Sequence, residues 1–231
     1  MLSSINKEQG KKYTFISNIN WVENTILDEE IFSNDIYKKY KATISNLPGE
    51  LVMCSDISKT DGFCKKIISE TYQEYLDLIS QRDFSKEQWV YNILDGVAEQ
   101  DKILYRDELI VVVPNYTWDG SDLSKMYLLT FPIARSLHTI RDLTNQQVGL
   151  LKHIKNQTLQ VIKSKYGFDS DIIKIYIHYA PSTYHLHVHF VLISNTDANS
   201  SVEYSHELNG VIQILEAKSD FYQTIVMNKR I

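Results

Sequence analysis

Tyr184-His185-Leu186-His187-Val188-His189-Phe190 is the stretch on which the reading of this chain turns. In a strand, successive side chains alternate between the two faces. His185, His187 and His189 therefore share one face, and Leu186, Val188 and Phe190 the other. The apolar face suits packing on a helix, whereas the histidine face needs a chemical explanation. His178, in the preceding apolar stretch, reaches the same surface if the two segments pair as a hairpin. Two chemistries compete. A metal site fits the liking of imidazole for zinc, but no Asp, Glu or Cys stands nearby in sequence to complete it. Phosphoryl transfer needs only a neutral imidazole as nucleophile, with its neighbours bonding phosphate oxygens or holding its tautomer.

Working outward, residues 172–179 and 184–194 read as strands with Ala180-Pro181-Ser182-Thr183 turning between them. Upstream, Thr144-Asn145-Gln146-Gln147 has the form of a capping box. Val148, Leu151, Ile154, Val161 and Ile162 follow on one helical face, and Gly167 supplies a stop. Leu109-Ile110-Val111-Val112-Val113 is a short β-branched run ended by Pro114, which predicts a buried strand. Residues 89–94 are apolar and open either a helix or a strand. Across residues 65–79, Ile67, Ile68, Tyr72, Tyr75, Leu76 and Ile79 recur at helical spacing, and Ser80-Gln81-Arg82-Asp83 reads as a hinge. The region before is polar and uneven, with a strand expected over 12–19 and an apolar run, Leu51-Val52-Met53, after the loop signal Asn46-Leu47-Pro48-Gly49. The expected class is α+β with a mostly antiparallel sheet. A small α+β N-terminal domain is expected over residues 1–82 and the main domain over 83–231.

At 231 residues, the chain has room for one good core and a small second unit. It is 43% hydrophobic and 23% charged, ordinary for a folded protein. A net charge of -5 argues against binding long nucleic acid, which needs a basic field, but it leaves room for a local basic pocket. Cys54 and Cys64 lack CxxC spacing, which disfavours a cysteine zinc site and suits a reducing compartment. No apolar run at the start has signal-peptide length, and none elsewhere approaches a membrane span. A cytoplasmic and nuclear protein with no membrane association is expected.

The run His185-Leu186-His187-Val188-His189-Phe190-Val191 matches the histidine triad motif, His-φ-His-φ-His-φ-φ with φ apolar. Three further stretches narrow the resemblance. They are Tyr176-Ile177-His178-Tyr179-Ala180-Pro181-Ser182, Trp89-Val90-Tyr91-Asn92-Ile93-Leu94-Asp95-Gly96 with Ala98-Glu99 behind it, and the segment from Ser136 to Thr144 with its Arg141-Asp142-Leu143-Thr144. Together they make the chain resemble the scavenger mRNA-decapping enzymes of the histidine triad superfamily from about Trp89 to Tyr222. The first 80 residues match poorly and look shorter than that family's N-terminal domain.

The resemblance implies a histidine triad fold and a hydrolase of capped dinucleotides or short capped RNA. It makes His187 the nucleophile on the phosphate attached to 7-methylguanosine. It has His185 orient that nucleophile and His189 and His178 bind phosphate oxygens, with Ser182 adding a hydroxyl. Trp89 matches the family's stacking residue for the cationic base, and Glu99 the carboxylate that accepts from the guanine edge. No metal or other cofactor is implied, and a homodimer with exchanged N-terminal segments is. The chain also departs from the pattern. Where the family has Pro-Asp-x-Lys-Trp, it has Pro114-Asn115-Tyr116-Thr117-Trp118, so Asn115 and Thr117 replace an acid and a base. Thr183 and Tyr204 stand where the family often has a tyrosine and an arginine. Lys125 and Arg135 are the candidate replacements for the lost positive charge. Two alternatives stay open: a cap-binding or regulatory paralogue with weak catalysis, and a histidine triad hydrolase of another nucleotide polyphosphate.

Overall fold

In a computed structural model of the chain, residues 67–230 are described apart from 197 and 199, and before them only the backbones of five strands. The chain divides into two units, Met1–Lys66 and Ile67–Ile231. The first is described as β1 (Leu2–Glu8), β2 (Lys11–Ile16), β3 (Thr25–Ser33), β4 (Tyr37–Ile44) and β5 (Leu47–Cys54), in one antiparallel sheet of order β1-β2-β5-β4-β3. The expected strand over 12–19 is β2 as far as Ile16, and 17–19 lie outside the described residues. Leu47, Pro48 and Gly49, expected in a loop, open β5, which runs through Leu51-Val52-Met53.

The second unit begins with β6 (Ile67–Glu70), and α1 (Tyr72–Gln81) follows. The helical spacing read across 65–79 therefore spans two elements. Thr71 separates them: its side chain accepts from the Glu74 amide while Glu74 reaches back to its backbone, a full capping box. The first four residues stay extended because they pair antiparallel with β13 (Met227–Arg230), at the far end of the chain. The boundary expected at 82/83 accordingly falls inside this unit, and the helix that made the N-terminal domain α+β belongs here. Among the described residues the first unit contains strands alone.

The body of this unit is a six-stranded sheet built from β7 (Tyr105–Arg106), β8 (Ile110–Pro114), β9 (Tyr127–Pro132), β10 (Ile173–His178), β11 (Val188–Leu192) and β12 (Ser205–Glu207). The order is β12-β10-β11-β9-β8-β7, every neighbouring pair antiparallel. Residues 89–94 form a helix, α2 (Gln88–Leu94). The Thr144 capping box closes a single 3-10 turn that runs into α3 (Val148–Tyr166), and Gly167 ends that helix at φ 77°, where a residue without Cβ is unstrained. Leu151, Ile154, Thr158 and Ile162 are the buried face of α3. Thr158 fastens it to the sheet through a 2.8 Å hydroxyl–hydroxyl bond with Thr130. The pairing of Val188 with Thr130 puts Val188 and Phe190 on that same face. The opposite face carries His189, Tyr127 and Leu129. Two short helices, α4 (Leu208–Ala217) and α5 (Phe221–Thr224), lead into β13.

One fully buried cation joins the parts. The Arg141 guanidinium donates to the carbonyls of Tyr222 and Ile225, both at 2.8 Å, to the Glu70 carbonyl, and to the Tyr179 hydroxyl at 3.2 Å. A buried charge is tolerable only when so satisfied. The next residue, Asp142, accepts from Tyr75 at 2.8 Å and from the backbone amides of His138 and Thr139. The Arg-Asp pair thus holds the β6–β13 ribbon and α1 against the body of the unit.

Candidate active site

Only His189 of the three triad histidines lies in a regular strand. Residues 184–187, expected to open β11, leave the ladder because their amides are engaged elsewhere. Tyr184 donates to the buried Glu87 carboxylate at 3.0 Å and Leu186 to the Leu137 carbonyl at 2.8 Å. Glu87 is ion-paired with Arg82 at 2.6 Å, and the Arg82 guanidinium lies 3.9 Å from the centre of the Tyr184 ring. This cluster sets the approach of the chain to the triad, and nothing in the local pattern announced it.

His185 is fully buried, and its Nε2 donates to the Pro132 carbonyl at 2.8 Å. Burial, outweighing that bond, pulls its pKa down to about 4. The ring does not line the cavity. What orients His187 is the backbone carbonyl of His185, which lies 2.7 Å from His187 Nδ1. A carbonyl can only accept, so Nδ1 carries the proton and Nε2 keeps the lone pair. Burial lowers the His187 pKa, against the opposing pull of that carbonyl. The ring is therefore neutral at pH 7, the state a nucleophile requires.

His189 is held the other way round. Its Nδ1 lies 2.7 Å from the Tyr127 hydroxyl. Tyr127 in turn receives a hydrogen bond from Tyr176. Burial, chiefly, pushes the Tyr127 phenol up to about 12, and burial together with Tyr127 raises Tyr176 well above the usual range. Each phenol keeps its proton, so the relay ends with Tyr127 donating to Nδ1 and the proton of His189 on Nε2. That nitrogen is buried without a protein partner among the described residues, a donor awaiting an acceptor. Burial, then the neighbouring His187 and His178, pushes the His189 pKa well below its ordinary value. The rings of His178 and His187 lie 4.2 and 4.8 Å from that of His189. The expected hairpin contact of His178 is realised.

A cavity of about 660 Å³ opens over these rings. His178, His187 and His189 line it together with Asn115, Ser182 and Thr183, and so do Tyr204, Lys229 and Arg230. A second cavity of about 340 Å³ adjoins it, lined by Trp89, Glu99 and Pro114. Trp89, Ser182, Thr183 and the 92%-exposed Tyr116 border both. Trp89 sits on α2, 44% exposed, with its ring perpendicular to Phe131 at 6.0 Å between centres. Glu99 adopts φ 53°, a left-handed conformation uncommon outside glycine that costs on the order of 1–3 kcal/mol and tends to persist at ligand sites. Its only ion pair among the described residues is a loose 3.5 Å contact with Lys102.

Thr117 lines neither cavity. Its amide and hydroxyl turn back onto Asn115 Oδ1 at 2.9 and 2.8 Å, an Asx turn in which the two departures from the family pattern satisfy each other. Lys125 and Arg135, expected as replacement cations, line neither cavity either. Arg135 is paired with Asp95 and stacks 4.8 Å from the Tyr91 ring centre. The cations that do border the site, Lys229 and Arg230, lie 40 residues beyond the triad, and no motif marked them. No group of three or more His, Cys, Asp or Glu among the described residues is disposed to hold a metal.

A family model described as "Scavenger mRNA decapping enzyme C-term binding" matches residues 88–203. The m7GpppX diphosphatase of Ascaris suum is 36% identical over 208 residues, which cover 84% of this chain and 69% of that protein. Those of Rattus norvegicus and Homo sapiens are each 32% identical over 206 residues, covering 83% of this chain. The chain spans 61% of the length of these two relatives. An alignment over 84% of the chain reaches well upstream of Trp89, so the likeness extends beyond the stretch from Trp89 to Tyr222 into the N-terminal unit. A HIT family hydrolase from Legionella pneumophila Philadelphia 1 is a partial structural likeness, with TM-score 0.38 and 16% identity over 48% of this chain and 93% of that one.

Proposed function

We propose, from the premise that this chain belongs to the scavenger mRNA-decapping family, that it hydrolyses residual cap structures to 7-methylguanosine monophosphate. One observation carries the reading: His187 is held neutral with its Nε2 lone pair free, in a cavity that adjoins a separate base-sized cavity walled by Trp89 and Glu99. In the first step Nε2 attacks the phosphorus attached to 7-methylguanosine. The Nε2–P bond forms as the P–O bond to the next phosphate breaks, and the rest of the cap leaves as a nucleoside diphosphate. His189 Nε2–H donates to the oxygens on which charge gathers. Water then cleaves the phosphohistidine bond, releasing the monophosphate and restoring the imidazole. Trp89 supplies a face for the cationic base, worth about 2 kcal/mol when desolvated, and Glu99 an acceptor for its N–H edge.

The test is incubation with a 7-methylguanosine-capped dinucleotide and chromatography of the products. The expected products are 7-methylguanosine monophosphate and a nucleoside diphosphate in equal amounts, with unmethylated dinucleotide cleaved far more slowly. Equal cleavage of both would instead favour a general nucleotide hydrolase. The uncharged Asn115-Thr117 turn supports a second reading, a cap-binding paralogue, and tight binding without turnover would establish it. The family resemblance also supports a homodimer, to be checked by light scattering across a concentration series. Cysteine usage supports a place in the cytoplasm and nucleus, to be checked by imaging the tagged chain.

A further inference from the structure

We propose that Lys229 and Arg230, on the last strand of the chain, form the cationic subsite that grips the phosphate bridge of the substrate. The proposal rests on the cap-hydrolase reading and adds to it the source of the missing charge. A triphosphate bridge carries several negative charges. The histidines that meet it are neutral, and the turn at 115–117 is uncharged and folded onto itself. Among the described residues lining the larger cavity, Lys229 and Arg230 are the only lysine or arginine.

Their placement is built. The Arg230 guanidinium lies 3.9 Å from the centre of the Tyr204 ring. That ring lies 4.3 Å from His178, and His178 lies 4.2 Å from His189. A continuous chain of tilted ring contacts therefore connects the cation to the phosphate-donor histidine. Tyr204, the residue at a position where the family often has arginine, serves as the platform for an arginine arriving from elsewhere in the chain. Arg230 Nη1 is anchored by Glu203 at 3.0 Å, and a guanidinium has five N–H donors, more than one carboxylate occupies. Lys229 is ion-paired with Glu70, whose carboxylate also takes the Tyr179 hydroxyl. The two side chains are only 14% and 19% exposed, so salt screens them less than ordinary surface cations. Arg141 in turn holds Glu70 and the segment before β13 by their carbonyls, which fixes the ribbon that carries the pair.

The experiment uses the full chain with His187→Asn to stop turnover, alone and combined with Lys229→Gln, Arg230→Gln or Arg230→Lys. Three probes are titrated at two salt concentrations: capped dinucleotide, 7-methylguanosine without phosphate, and inorganic tripolyphosphate. Each Gln variant is expected to weaken dinucleotide and tripolyphosphate about tenfold, to flatten their salt dependence, and to leave 7-methylguanosine unchanged. Arg230→Lys should recover part of the loss. An equal loss for 7-methylguanosine would overturn the proposal in favour of a merely structural ribbon, and no loss for either phosphate probe would overturn it outright. If 7-methylguanosine fails to bind even with Lys229 and Arg230 intact, while tripolyphosphate binds through Arg230, the grip stands and the cap reading falls.

Discussion

The two cavities of the site are built on opposite principles. The smaller is marked by Trp89, Glu99 and Pro114 alongside residues that the two share, and its key groups are open: Trp89 is 44% exposed and Glu99 has one loose ion pair. The larger also takes in His178, Tyr204, Lys229 and Arg230, and its triad rings are buried and locked, His187 by a carbonyl and His189 by a two-tyrosine relay. An open wall gains its contacts only when ligand arrives, so it governs affinity and choice. A locked ring is already oriented when ligand arrives, so it governs rate. Changes in the first cavity should move KM, and changes in the second kcat.

The sharpest way to break this contrast is His187→Asn, which keeps the size of the side chain and removes the proposed nucleophile. Turnover should fall by at least ~10³-fold, in the range seen when a nucleophile is removed, while dinucleotide affinity changes little. A parallel fall in affinity, measured by calorimetry, would show the two cavities to be one functional unit.

Acid should find the locked half first. His185 titrates near 6.5 when unfolded but near 4 when folded. The unfolded chain therefore binds the proton first, and stability falls as pH drops below about 6.5. The loss from His185 alone approaches about 3 kcal/mol at pH 4, and the lowered His187 and His189 add to it in the same direction. Above pH 6.5 these groups leave stability flat. Urea unfolding at pH 7, 6 and 5 measures the slope, and a flat profile would mean the rings are not desolvated as described.

Trp89→Ala tests the open half. Preference for methylated over unmethylated dinucleotide should drop by about tenfold, the worth of a cation–π contact of roughly 1–2 kcal/mol, with kcat on the residual complex little changed. The smallest effect belongs to Thr117→Lys. Because Thr117 borders neither cavity, the added charge should tighten dinucleotide binding by less than about threefold at 0.15 M salt. A tenfold gain would mean that the turn at 115–117 reopens toward the ligand.

What was legible in the sequence follows from where each signal is stored. His178 and His189 sit on paired neighbouring strands with His185 and His187 just ahead of the second, and α3 announces itself through Thr144, its 3.6-residue period and Gly167. Strand β9 gave no such sign, since all six of its residues are buried and nothing alternates. The β6–β13 ribbon has no local signature, because its partners come from opposite ends of the unit, Met227 with Glu70 and Arg230 with Ile67. Ile67 and Ile68 then fall by coincidence on the helical period of α1. Lys125 and Arg135, the cations expected to replace the lost charge, line neither cavity, whereas Lys229 and Arg230 reach the larger one from the far end of the sequence.

That ribbon also decides how the second unit would answer to mechanical force. Its entry and exit, Ile67 and Arg230, are directly paired partners. Tension applied between them would open the ribbon one pair at a time, in the zipper direction, whereas the six-stranded sheet behind it is not loaded until the ribbon has gone. The first event under load would thus free Lys229 and Arg230 and leave the triad standing. Single-molecule stretching from these two ends should record a short, low-force extension before the main rupture, and a single all-or-none rupture would contradict it.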